Sequence, residues 1–133
     1  MPDINNHAYR DLIVWNKAME FATRVISQLE DIESSRRHYR LFEQLEAAVT
    51  SVPMNIAEGK GRESKKEYIH HLYIARGSIY ETSTLLEIFH SLGLIQNATY
   101  NEFKNLASEI IRMPKGLINS ISKSLFQETK IDL

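Results

Sequence analysis

Apolar residues in this chain recur at alternating three- and four-residue steps, and nothing alternates with period two over a useful length. That regularity confines the fold to packed helices, because a repeat of about 3.6 residues lines such positions up along one face. In the first segment, DLIVWNKAMEFATRVISQLED, the stripe is Leu12, Trp15, Met19, Ala22, Ile26 and Leu29, widened by Ala18, Phe21 and Val25. Asp11 is the candidate N-cap. The second segment covers residues 36–58, with Leu41, Leu45, Ala48, Val52 and Ile56 in line and Ser34 or Ser35 as caps. Pro53 falls inside that pattern and removes one backbone bond, which predicts a kink or a tightened turn near Thr50. The third segment opens on Ser64-Lys65-Lys66-Glu67, a capping box, and carries Tyr68, Leu72, Ala75, Ile79, Leu86 and Phe89 to a stop at Leu92-Gly93. Thr99-x-x-Glu102 reads as a second box, opening a fourth helix that buries Phe103, Leu106, Ile110, Leu117, Ile121 and Leu125. Pro114 and Gly116 weaken its middle.

Short connections favour antiparallel neighbours, so the expected fold is all-α: a single up-down-up-down antiparallel four-helix bundle over about residues 9–127. One domain of 133 residues buries a sizeable core without staples, and with no cysteine it has neither disulfides nor thiolate metal sites. No apolar run approaches the ~20 residues of a membrane span, and the N-terminus lacks the layout of a signal peptide. A cytoplasmic protein without membrane contact is expected. The first and third helices carry further apolar residues beside their stripes: Ile13, Val14 and Phe21 on one, Ile69, Tyr73 and Tyr80 on the other. Two explanations stand, a wide core stripe or a subunit interface.

Residues 55–67, NIAEGKGRESKKE, invite a phosphate-loop reading, but neither the GxxxxGK[ST] spacing nor a preceding strand is there. Helix punctuation explains much of the stretch without a ligand. Gly59 and Gly61 supply the positive φ that helix C-termini favour, Gly59 ending the second helix and Gly61 turning the chain, and Ser64 caps the third. An anion remains a candidate occupant, because Lys60, Arg62, Lys65 and Lys66 surround the positive end of a helix dipole. Glu58, Glu63 and Glu67 reduce the stretch to +1, four bases minus three acids. A second basic cluster, Arg36, Arg37, His38 and Arg40 with Tyr39 among them, suits a nucleic-acid backbone or a solvated helix start. It lies at the other end of the second helix, about 30 Å away at 1.5 Å per residue.

Other chemistry finds little footing. Glu67-x-x-His70 and Glu87-x-x-His90 are the pairs a di-iron bundle uses, but they share one helix and cannot face each other, so no metal and no cofactor are expected. A nucleophile elbow is absent, and no catalytic residue is assigned. Asn55, Glu58, Arg62, Arg76 and Glu81 read as a hydrogen-bond and ion-pair network near the turn between the second and third helices. Gly77, with Ala75 and Ser78, forms a small-residue patch where another helix can approach. The net charge of −1 and pI near 6.5 disfavour a strong non-specific nucleic-acid binder.

DLIVWNKAM, QLEAAVTSVPMNIAEGKGRESKKEYIHHLYIARGS and the following Glu81 resemble the four-helix-bundle proteins encoded within 23S rRNA intervening sequences, related in fold to the accessory variability determinants of diversity-generating retroelements. The resemblance spans residues 9–125. Its most specific blocks place the family signature at Asn55, Glu58, Gly59, Gly61, Arg62, Ser64, Arg76 and Glu81. It implies a bacterial, cytoplasmic, non-enzymatic bundle that assembles as a homopentamer and contacts RNA or DNA, here through Lys60, Arg62, Lys65, Lys66, Arg36, Arg37 and Arg40. The alternative is a scaffold recruiting a protein partner through apolar helix faces. Nucleic-acid-binding relatives tend to be strongly basic, and this chain is slightly acidic.

Overall fold

The computed structural model describes residues 8–32 and 38–131. Four helices carry the chain: α1 (Ile13–Asp31), α2 (Tyr39–Lys60), α3 (Lys65–Ser91) and α4 (Asn97–Ile131), after a 3₁₀ turn at Ala8–Asp11. Their side-chain contacts give the directions. Ser51 bonds Ser78 and Asn55 bonds His71, so α2 and α3 run antiparallel. Lys65 reaches Ser124 while Tyr100 reaches Glu87, which makes α3 and α4 antiparallel too. Lys17–Glu109 and Arg24–Glu102 do the same for α1 and α4. The result is the up-down-up-down bundle that the periodicity predicts.

The core is one apolar cluster drawn from all four helices, with Phe21, Leu45, Ile56, Leu72, Ile79, Phe89 and Ile110 among its fully buried members. Helices α2 and α3 bury the stripes expected of them apart from their half-buried first members, Leu41 and Tyr68. On α4, Phe103 and Ile110 are buried, Leu106, Leu117, Ile121 and Leu125 are half-buried, and Ala107, Pro114 and Ile118 complete the buried face. On α1 the buried face is Val14, Ala18, Phe21, Ala22, Val25 and Leu29, whereas Met19 is exposed and Trp15 and Ile26 are half-buried. The helix is therefore turned toward the residues expected only to widen its stripe. Apolar residues cover so much of α1 that spacing alone admits either orientation. Val14 and Phe21 consequently belong to the core, while Ile13 is 71% exposed.

Several helix ends differ from expectation. Asp11 belongs to the 3₁₀ turn, and Leu12 takes the N-cap position of α1 without a side-chain bond. Helix α2 begins at Tyr39 behind an uncapped His38; Ser34 and Ser35 lie outside the described residues. The helix runs without interruption past the buried Pro53 to Lys60. At α3 the amide of Glu67 donates to Ser64 Oγ at 3.4 Å, one half of the expected box. The α3 stop is built as predicted: Gly93, at φ 75°, lets the amide of Leu94 reach back to Phe89 O at 2.9 Å. Helix α4 starts at Asn97, so Thr99 lies within its first turn rather than before it. The Tyr100 amide bonds Gln96 O, closing that turn one residue outside the helix.

Candidate functional site

The corner between α2 and α3 holds most of the expected signature, but its glycines act differently from the prediction. Gly61 has φ −78°, an ordinary right-handed value, and Gly93 is the positive-φ glycine among the described residues. Gly59 is buried inside the last turn of α2. A Cβ there would stand 2.7 Å from His71 Cβ and 3.2 Å from the Tyr68 ring. Gly59 is thus a point of close approach between α2 and α3, a role expected of the patch around Gly77. Gly77 itself faces open space, and only its neighbours Ala75 and Ser78 are buried.

One turn back along α2, a chain of neutral hydrogen bonds joins the helices. Asn55 Nδ2 donates to the carbonyl of Ser51 at 2.9 Å and to Ser51 Oγ at 3.0 Å. A carbonyl only accepts, so the amide nitrogen must face Ser51 and Oδ1 must face His71. His71 Nδ1, 3.1 Å from that oxygen, therefore carries the proton and donates it. Ser51 Oγ continues to the buried Ser78 hydroxyl at 2.8 Å. Of the expected network of Asn55, Glu58, Arg62, Arg76 and Glu81, the structure keeps the Glu58–Arg62 pair and separates the rest. Glu58 pairs with Arg62 at 2.8 Å on its own helix, Arg76 lies over the Tyr80 ring at 5.9 Å, and Glu81 is exposed. Ser51, Ser78 and His71 were missed as network members, since no spacing along one helix signals a partner on another.

The four cations of the corner are tethered to different degrees. Lys60 sits over the Tyr68 ring at 5.7 Å, Arg62 is held by Glu58, and Lys65 donates to Ser124 at 2.8 Å. Lys66 is exposed on the first turn of α3. At the far end of α2, Arg40 Nε is 3.4 Å from the Tyr39 hydroxyl. Arg36 and Arg37 lie outside the described residues. Lys60 and Arg40 are separated by most of the helix, about 30 Å, so the two basic clusters form separate patches in one chain.

Beneath Lys60, the Tyr68 hydroxyl is buried and finds no hydrogen-bond partner among the described residues, and burial raises the pKa of this phenol. An unsatisfied buried hydroxyl destabilises the fold by about 1–3 kcal/mol. Tyr68→Phe keeps the ring under Lys60 and removes that penalty. The variant is expected to melt a few degrees above the parent in a thermal scan; an unchanged or lower midpoint would show the hydroxyl to be satisfied.

The histidines of the two Glu-x-x-His pairs do not converge. His90 stacks on Tyr100 at 4.3 Å and bonds Asn97, whereas His70 is exposed beside His71. Among the described residues no three acidic or histidine side chains gather into a metal-binding group. No helix among those residues is long and apolar enough to cross a membrane.

No protein of curated function matches the chain. Among solved structures, it is similar to a protein of unknown function of the S23 ribosomal protein family from Bacteroides thetaiotaomicron, with a TM-score of 0.72 and 26% identity over 80% of this chain and 98% of that one. The family model of the 23S rRNA-intervening sequence protein matches residues 10–116, from just before α1 to past the middle of α4. With the α2–α3 corner inside that match, the chain belongs to the 23S rRNA-intervening sequence protein family.

Proposed function

We propose that this protein is a non-enzymatic, self-assembling bundle that binds the phosphate backbone of RNA or DNA from its α2–α3 corner. The supporting observation is the exposure of Lys60, Arg62 and Lys66 around the turn from α2 into α3, with Lys65 at its edge, where the positive end of the α3 dipole adds to their field. Their existing contacts do not preclude this role. An exposed i,i+4 pair such as Glu58–Arg62 contributes only about 0.3–0.5 kcal/mol, so a phosphate can replace the carboxylate. Arg40, with Arg36 and Arg37, would serve as a second band in an assembly. A non-enzymatic role fits the polar centre of the corner, where His71 bonds an amide rather than a nucleophilic hydroxyl.

Filter binding with a structured RNA and with duplex DNA tests the reading. Retention is expected at low salt, falling steeply as salt rises because bound phosphates release counterions. Lys60→Glu with Lys66→Glu should abolish it. Retention that ignores salt, or none at low salt, would overturn the proposal.

Assembly is part of the reading. Met54 is 66% exposed on α2, and Ile74 and Ile88 are exposed on α3, apolar side chains of the kind a subunit contact covers. Light scattering is expected to give five copies of the 15.4 kDa chain, about 77 kDa. The second reading, a scaffold for a protein partner without nucleic-acid contact, draws on the same residues. It is favoured if the chain is monomeric in solution and indifferent to nucleic acid.

A further inference from the structure

A cleft of about 210 Å³ opens between α3 and α4, well away from the α2–α3 corner. Its floor is apolar, built from Ile79, Leu86, Ala107 and Ile111. Its rim is polar and aromatic: Tyr80 on one side, Lys104 on the other, and Tyr100 at one end. Sites that enclose a whole small-molecule ligand are usually roughly 300–1,000 Å³. This smaller cleft suits one ring-sized group whose remainder continues along the surface.

The surface beyond the cleft has a consistent character. On α3, Tyr73, Arg76 and Tyr80 follow one another at helical spacing. On α4, Lys104, Ser108, Ile111 and Lys115 do the same, over about 16 Å. The Lys65–Ser124 and Tyr100–Glu87 bonds fix the antiparallel register, which places Tyr73 beside Lys115 and Tyr80 beside Ser108. Tyr73 and Tyr80 are 54% and 56% exposed. The two stripes with Glu87 carry +2, three bases minus one acid, in a chain whose total is −1. Glu87 already accepts from the Tyr100 hydroxyl at 3.4 Å. Glu102 and Glu109 of α4 turn the other way, toward Arg24 and Lys17 of α1. On α4, then, Glu102 and Glu109 meet α1, while Lys104 lines the cleft and Lys115 follows it at helical spacing.

From this juxtaposition of a ring-sized apolar cleft, exposed tyrosines and a local positive charge, we infer that the α3–α4 face binds single-stranded nucleic acid and takes one unpaired base into the cleft. Aromatic faces stack on any base, and the cations track the phosphates. A duplex cannot enter, because its bases are already paired and stacked. The inference rests on the nucleic-acid reading proposed above and adds a site and a preference to it.

Fluorescence anisotropy with a labelled oligonucleotide tests it, comparing a single strand with the same strand in a duplex, each as RNA and as DNA. The single strand is expected to bind more tightly than the duplex, and the RNA and DNA arms show whether the sugar is read. Tyr80→Ala should weaken single-strand binding about tenfold, Tyr80→Phe should restore it, and Lys104→Glu should weaken it similarly. Duplex binding should be unmoved by Tyr80→Ala. The Lys60→Glu, Lys66→Glu variant should weaken both ligands, which separates the two proposals. If that variant loses binding while Tyr80→Ala matches the parent on single strands, the corner stands and the cleft is overturned. Failure of the parent to bind any oligonucleotide overturns both.

Discussion

Phe21→Ala is expected to destabilise the protein by about 3–5 kcal/mol, the largest single loss foreseen from any one side chain. Phe21 is fully buried on α1 and meets Phe103 of α4 edge-on, with ring centroids 6.5 Å apart. Those helices close the ring of the bundle. The Lys17–Glu109 and Arg24–Glu102 pairs that also cross their seam are half exposed and contribute about 0–1 kcal/mol each. Removing the phenyl ring leaves a cavity in the core that the surrounding side chains fill only in part, and Phe103 loses its aromatic partner. The measurement is a denaturant titration, read as a lower midpoint at unchanged slope. A midpoint within about 1 kcal/mol of the parent would mean that α1 and α4 are held together by something other than this contact.

Gly59→Ala carries the second large effect, and here two physical terms oppose each other. In an ordinary helix interior the substitution gains about 1 kcal/mol from helix propensity. At Gly59 the new methyl would stand 2.7 Å from His71 Cβ, an atom fixed to its own backbone and unable to rotate away. The helices must part locally, and overpacking of this kind costs about 1–3 kcal/mol. Parting them also stretches the His71–Asn55 bond next to it. The clash wins, and the difference leaves a net loss of up to about 2 kcal/mol, as much as several degrees in the melting midpoint. Gly61→Ala is the control. Its nearest neighbours would be carbonyl oxygens at 3.5 and 3.6 Å and its φ is ordinary, so it should melt with the parent or slightly above. Equal losses at both positions would refute the assignment of Gly59 as the close-approach point.

These two glycines mark where reading the sequence reaches its limit at the candidate site. A glycine beside a helix end looks the same whether it supplies a positive φ or lets a second helix come near. The first property is local, and composition suggests it. The second depends on His71, twelve residues away and on another helix. The same limit explains why the basic residues of the corner were legible as a group while the Ser51–Ser78 link was not. It also explains why the α3–α4 cleft escaped notice: Lys104, Tyr80 and Tyr100 are far apart in sequence and meet only through helix register.

Periodicity and punctuation were enough for the number of helices, the stripes of α2 and α3, the Gly93 stop and the bundle class, because each arises from interactions within a few residues. The rotation of α1 about its axis was not so determined. Its apolar residues occupy more than one face, and only packing against Phe103 and the rest of the core selects Val14 and Phe21 over Met19. Tertiary structure likewise decided which α4 charges meet α1 and which one lines the α3–α4 cleft. Spacing along a helix says which residues share a face; only a neighbouring helix says what that face meets.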